Sequence, residues 1–181
     1  MKNALFLCAA ALVAAPATAQ TGSPVTVIQA GRLLDKPGQA PRGPTTLVVR
    51  DGRIVEILPS KVDGPAGATI IDLSDKFVLP GLIDSHVHLD SDAGGNAAML
   101  EGLTSSDATS AYRTLGNAKK TLLAGFTTVR NVGSADRNDI GLKQAIDEGY
   151  AIGPRIVPAG YAIGATGGHC DSTFLPPSLE K

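Results

Sequence analysis

The apolar positions along the chain change rhythm near Pro80. Residues 21–80 read as β: "PVTVIQAGRLL", "TTLVVRDGRIVEIL" and "ATIIDLSDKFVLP" carry apolar, β-branched residues in short runs. Asp51-Gly52 sits between two such runs, which predicts a two-residue type I′ hairpin. The last run predicts two short strands split by a polar Ser-Asp turn, and "KPGQAPRGP" and "VDGPAGA" predict loops. A segment of this size makes half a sandwich, with one face in need of cover.

Beyond Pro80-Gly81 the pattern becomes strand, helix, strand, helix, strand. "LIDSHVHL" predicts a strand, followed by a polar, Gly-containing loop. A helix is predicted from about Asp107 to Leu123, with Ser106 or Asp107 as N-cap and Ala108, Ala111, Tyr112, Leu115, Ala118 and Leu122 on its apolar face. Gly125 stops it, and "FTTVRNV" predicts the next strand. A second helix from about Asp139 to Glu148 ends at Gly149, and "GPRIVPAGYAI" predicts a third strand that closes near Pro158. This alternation predicts a parallel α/β arrangement, in which ligands gather at the carboxyl ends of the strands. His88, Asn131 and His169 all fall at or beyond those ends.

The first nineteen residues stand apart from this pattern. Lys2, an Ala/Leu-rich stretch from Ala4 to Ala15, Pro16 and the Ala17-Thr18-Ala19 triplet have the layout of a secretory signal peptide, cleaved after Ala19. The apolar stretch is shorter than the ~20 residues that span a bilayer, so a secreted or periplasmic protein with no stable membrane anchor is expected. Cys8 leaves with the signal, and Cys170 remains as a free thiol, packing or nucleophilic. With 16 Lys+Arg against 17 Asp+Glu, no basic cluster and 4% aromatic residues, the chain offers nothing that would favour nucleic acid.

Candidate chemistry is concentrated in "FVLPGLIDSHVHLD", which holds two of the three histidines. Side chains alternate along a strand with period two, so Asp84, His86, His88 and Asp90 are expected on one face. Two imidazoles so placed can converge on one zinc ion at ~2.0–2.1 Å per bond. The plain alternative is a pair of solvent-facing or core-satisfied histidines.

Three blocks, "VLPGLIDSHVHL" (78–89), "LLAGFTTVRNVG" (122–133) and "IGPRIVPAGYAIGATGGHCD" (152–171), together with "DGRIVEI", resemble the amidohydrolase superfamily. The likeness is to its imidazolonepropionase-like and Xaa-Pro-dipeptidase-like branch. That resemblance implies a (β/α)₈ TIM barrel flanked by a small β-sandwich, with one or two divalent metals, usually zinc, at the strand ends. It implies His86 and His88 as metal ligands; the bridging lysine, two further histidines and the aspartate base would lie beyond Lys181. A barrel needs ~250 residues. The chain is therefore expected to hold a signal peptide (1–19), the N-terminal part of the sandwich (20–80) and the first three β/α units of an incomplete barrel (81–181). No catalytic base is expected within it, and on its own it should be poorly stable and inactive.

The implied activity is hydrolysis of an amide or peptide C–N bond in a small-molecule or dipeptide substrate by a metal-activated water. A cyclic-amide hydrolase or deaminase of the same superfamily, and a small secreted non-catalytic metal-binding protein, stay open. So does a homo-oligomer of the full-length protein. His169 is expected either to contact substrate or to be a satisfied loop histidine. Arg130 and Asn131 support the ligands or brace the strand end, Asp84 accepts from a ligand histidine or is a turn carboxylate, and Asp90 is expected in solvent.

Overall fold

A computed structural model describes residues 24–170, so the expected signal peptide at 1–19 lies outside the described residues. The chain divides into two compact units, Met1–Leu79 and Pro80–Lys181.

The first unit is one four-stranded sheet. Its strands are β1 (Val25–Leu33), β2 (Thr45–Arg50), β3 (Arg53–Pro59) and β4 (Thr69–Val78), in the order β3-β2-β1-β4. β1 and β2 pair antiparallel, as do β2 and β3, whereas β4 runs parallel to β1. Asp51 and Gly52 connect β2 to β3 with φ of 49° and 71°, the two left-handed residues that a type I′ turn requires. Ala30, Leu33 and Leu47 form the buried cluster of this sheet.

The expected Ser-Asp turn is instead a bulge inside one continuous strand. Ala30 pairs with Leu73 and Arg32 with Phe77, so β4 advances four residues while β1 advances two. Gly31 is the reason this fits: a Cβ there would lie 2.2 Å from the Ser74 carbonyl oxygen. The Asp72 carboxylate ties the bulge by accepting from the Ser74 amide (2.9 Å) and hydroxyl (2.5 Å). Those two bonds, with the Lys61 ammonium, hold its pKa well below the usual carboxylate range.

The second unit holds a three-stranded parallel sheet, β5 (Leu82–Val87), β6 (Phe126–Asn131) and β7 (Arg155–Pro158), in sequential order. Helix α1 (Asn96–Thr104) and helix α2 (Asp107–Leu123) lie between β5 and β6; a 3-10 turn (Ala135–Arg137) and α3 (Asn138–Asp147) lie between β6 and β7. The core comprises Leu89, Ala118, Val129, Leu142 and Ile156, with Val87, Leu115, Phe126, Ile146 and Ala151 against it. Helices α2 and α3 therefore cover the face of the sheet that carries Val129 and Ile156. On the opposite face, Arg130, Arg155 and Val157 are exposed.

Two expectations about the helices are corrected. The loop after β5 contains α1, which buries none of its residues and lacks a side-chain cap, so its sequence carries no amphipathic signal. Helix α2 has the expected bounds and the Ser106 cap, which accepts from the Thr109 amide at 3.2 Å. Its buried face is different: Thr114, Asn117 and Ala118 are inside, whereas Ala108, Ala111 and Tyr112 are exposed. The polar pair can go inward because Asn117 Nδ2 donates to the Leu89 carbonyl (3.0 Å) and Thr114 Oγ1 to the Ser110 carbonyl (2.9 Å).

Two outcomes check this description. Ile156→Ala, at 3% exposure, is expected to lower stability by about 2–5 kcal/mol, whereas Ile83→Ala, at 73% exposure, should stay within about 0.5 kcal/mol, read from urea unfolding. For Asp72, whose folded pKa is depressed, the contribution is full above the unfolded value of about 3.9 and fades as pH falls through the folded one. Asp72→Ala should thus melt below wild type at pH 6, and the gap should narrow in acid.

Candidate metal centre

β5 (Leu82–Val87) lies at one edge of the parallel sheet, with His86 in its penultimate position and His88 one residue past its end. The two imidazole rings stand 5.6 Å apart, centroid to centroid, at an interplanar angle of 71°. Both open onto a cavity of about 660 Å³ whose wall also includes His169, Cys170, Asp136 and Tyr161. All three histidines of the chain therefore meet at one cavity beside the carboxyl end of the sheet.

The His88 ring is held from one side. Its Nδ1 lies 3.2 Å from the Gly133 carbonyl oxygen. A carbonyl only accepts, so Nδ1 carries the hydrogen in this contact, and in the neutral ring the Nε2 lone pair is available. The pattern is that of a metal-ligating histidine, whose other nitrogen usually donates to an oxygen.

Asn131, the last residue of β6, is fully buried behind this contact. Its Oδ1 accepts from the Leu89 amide (2.9 Å), while its Nδ2 donates to the Gly133 carbonyl (3.0 Å) and to Asp139 Oδ2 (3.2 Å). Asp139, also fully buried, accepts at Oδ2 from the Ala159 and Gly160 amides (3.0 and 3.1 Å) and at Oδ1 from its own neighbour Ile140 (2.8 Å). It stands in the first turn of α3, where the helix dipole favours a negative charge. Leaving one of these buried amides unpaired would cost about 1–3 kcal/mol.

The remaining candidates are placed differently. Asp84 is half-buried, and its carboxylate accepts from the main-chain amide of His86 (3.1 Å) instead of from an imidazole. Arg130 is exposed and is not part of the cavity wall. Asp90, expected in solvent, is half-buried: its Oδ1 accepts from Ser134 Oγ (2.9 Å) and lies 3.2 Å from Thr114 Oγ1, whose hydrogen is shared with the Ser110 carbonyl. The period-two alternation fails there because the ladder slips between Asp84 and Val87 and the strand stops at Val87. Asp139 and Ser134 carry no sequence mark of their own; an acid at a helix start reads as an ordinary first-turn residue. The burial of Asn131 was within reach, since it shares a β6 face with Val129.

At the rim, Asp136 and Arg137 both adopt left-handed backbone (φ 53° and 56°), and the Arg137 guanidinium lies 5.2 Å from the Tyr161 ring centroid. Side chains other than glycine hold such angles at a cost, which the cation–π contact offsets in part.

The family model described as "Amidohydrolase family" matches residues 77–177, more than half of the chain. The chain belongs to the amidohydrolase family. Among solved structures, a Xaa-Pro dipeptidase with bound methionine in the active site superposes with a TM-score of 0.78 at 32% identity, over 87% of this chain and 38% of that one. A prolidase complexed with N-methylphosphonate-L-proline gives 0.71 at 37% identity, over 84% and 37%. Ochratoxinase from Aspergillus niger is 30% identical over 99 residues, 55% of this chain and 20% of that protein. This amidohydrolase chain thus spans well under half the length of each of these relatives.

Amidohydrolases typically use divalent metals, and the donor chemistry here fits one in part. His86 and His88 are imidazoles on one cavity, and His88 is oriented by a carbonyl at its far nitrogen. Among the described residues, no group of three or more His, Cys, Asp or Glu side chains could hold a metal ion. A catalytic zinc takes three protein ligands, so the two histidines supply a share of a site. Zinc titration by calorimetry should show weak binding to this chain. His86→Ala or His88→Ala should weaken it at least about tenfold, about 1.4 kcal/mol, and His169→Ala should leave it unchanged.

Proposed function

We propose that this chain provides the first three β/α units of a metal-dependent hydrolase that cleaves amide or peptide C–N bonds in small molecules, in the manner of a dipeptidase. The observation that carries the reading is the pair of imidazoles, His86 and His88, set on one cavity at the carboxyl end of a parallel sheet in an amidohydrolase. Zinc, one ion or two, is the metal that the nitrogen donors favour. The donors that complete the set, and the carboxylate that acts as base, come from outside the described residues. The N-terminal Lys2-to-Ala19 pattern supports export to the periplasm or beyond.

When bound, a divalent metal supplies Lewis acidity toward the scissile carbonyl and acidifies a water at neutral pH. The chain's own residues hold and orient. His86 and His88 offer nitrogens from one strand end, and the Gly133 carbonyl fixes the hydrogen of His88 on Nδ1, which leaves Nε2 bare. His169, on the same wall, offers an N–H to a substrate carboxylate. Val132 and Ala162 give the wall apolar patches that limit water beside the reacting bond.

The test is made on a barrel that carries these residues as its first strands, loaded with zinc and offered Xaa-Pro dipeptides and N-acyl amino acids. Release of free amine that stops on chelation and returns with added zinc is expected; no metal-dependent release from any of these amides overturns the proposal. Residues 1–181 alone should show no turnover, because two donors do not make a catalytic zinc site, and turnover by them alone would sink the argument from the donor count.

A further inference from the structure

We infer that Asn131 and Asp139 act together as positioning residues that select the tautomer of His88. The role in holding a metal rests on the proposed function; the tautomer itself does not.

The contacts leave little freedom. A free imidazole side chain favours the Nε2–H form, which would put the hydrogen on the nitrogen that a ligand needs bare. The Gly133 carbonyl reverses that preference only if it stays in place, 3.2 Å from His88 Nδ1. Asn131 keeps it there through the 3.0 Å bond from Nδ2, and the same side chain takes the amide of Leu89, the residue after His88. One buried amide group thus fixes both the main chain that follows His88 and the oxygen that its ring donates to.

The orientation of that amide group is itself determined. Its oxygen must face the Leu89 N–H, and its nitrogen must face two acceptors, the Gly133 carbonyl and Asp139 Oδ2. Asp139 is in turn held by the main-chain amides of Ala159 and Gly160, so the anchor reaches the segment after β7. A carboxylate at position 131 would have no hydrogen for either acceptor and would set two acids and a carbonyl against one another with no solvent between them. Asn131 and Asp139 are therefore a matched pair: one needs both a donor and an acceptor, the other needs only acceptors. Gly133 completes the fit, because a Cβ on it would come within 3.0 Å of Ala162 Cβ and 3.5 Å of His88 Cε1.

The test uses the full chain, metal-free, with ¹⁵N-labelled histidine, and long-range ¹H–¹⁵N spectra of its three imidazoles. In wild type, His88 is expected to show a pyrrole-like Nδ1 and a pyridine-like Nε2. His86, whose ring makes no hydrogen bond among the described residues, serves as the internal reference in the Nε2–H form. Asn131→Asp should move His88 toward the Nε2–H form, Asp139→Asn should do so in part, and both should weaken zinc binding by about 10–100-fold. A merely structural role would lower the melting temperature of the variants and leave the His88 tautomer as it was, and that result in folded variants overturns the inference. Should Asn131→Asp fail to fold, Asp139→Asn and the wild-type spectrum decide: an Nε2–H His88 in wild type overturns it. A tautomer shift without zinc binding in any form of the chain supports the positioning role and counts against the proposed function instead.

Discussion

A buried carboxylate with four hydrogen-bond donors around it holds together the segments at the carboxyl end of the second unit's sheet. Asp139 joins the end of β6 through Asn131, the segment after β7 through Ala159 and Gly160, and the first turn of α3. Ala159 and Gly160 lie outside the strand ladder, and the carboxylate ties them to the ends of a strand and a helix. A carboxylate taken out of water is costly unless its oxygens are filled, and here both oxygens are. The loops at the carboxyl end of the sheet are thereby tied to a single point, and the histidine cavity opens among those loops.

The other governing constraint is the unequal treatment of the sheet's two faces. Helices α2 and α3 bury Val129 and Ile156, and the opposite face carries Arg130, Arg155 and Val157 in the open. Parallel sheets are ordinarily covered on both sides. In the (β/α)₈ arrangement that the family resemblance implies, such a face points inward and packs against the remaining strands. The exposure of Ile83, Leu82 and Val157 follows the same logic at the sheet edges.

Much of this was readable from residue order. Ser106 before a run of helix formers, Gly125 and Gly149 after theirs, and Asp51-Gly52 between two β-branched runs are local signals with a local mechanism, and each element formed where its signal stood. Helix α1 was not readable because nothing in it is buried, so no periodicity marks it. Nor was the inward face of α2, where Thr114 and Asn117 replace apolar residues because carbonyl partners await them. The pairing of His86 with His88 could be foreseen from spacing. The fate of Asp84 and Asp90 could not, since a slip in the β5 ladder, set by its partner strand, broke the alternation on which that spacing relied. Asp139 was hidden for a further reason: two of its four partners, the Ala159 and Gly160 amides, come from about twenty positions away, and only the assembled unit brings them to it.

In the first unit, the notch made by Gly31 works like a key in a lock. Sliding β4 along β1 by even one step would carry the Ser74 carbonyl away from the one β1 position without a side chain and drive the puckered segment into a neighbour's Cβ. Among nearly interchangeable valines and isoleucines, which alone would tolerate several alignments, a missing methyl and three polar residues set against one position leave only one way for the strands to mesh.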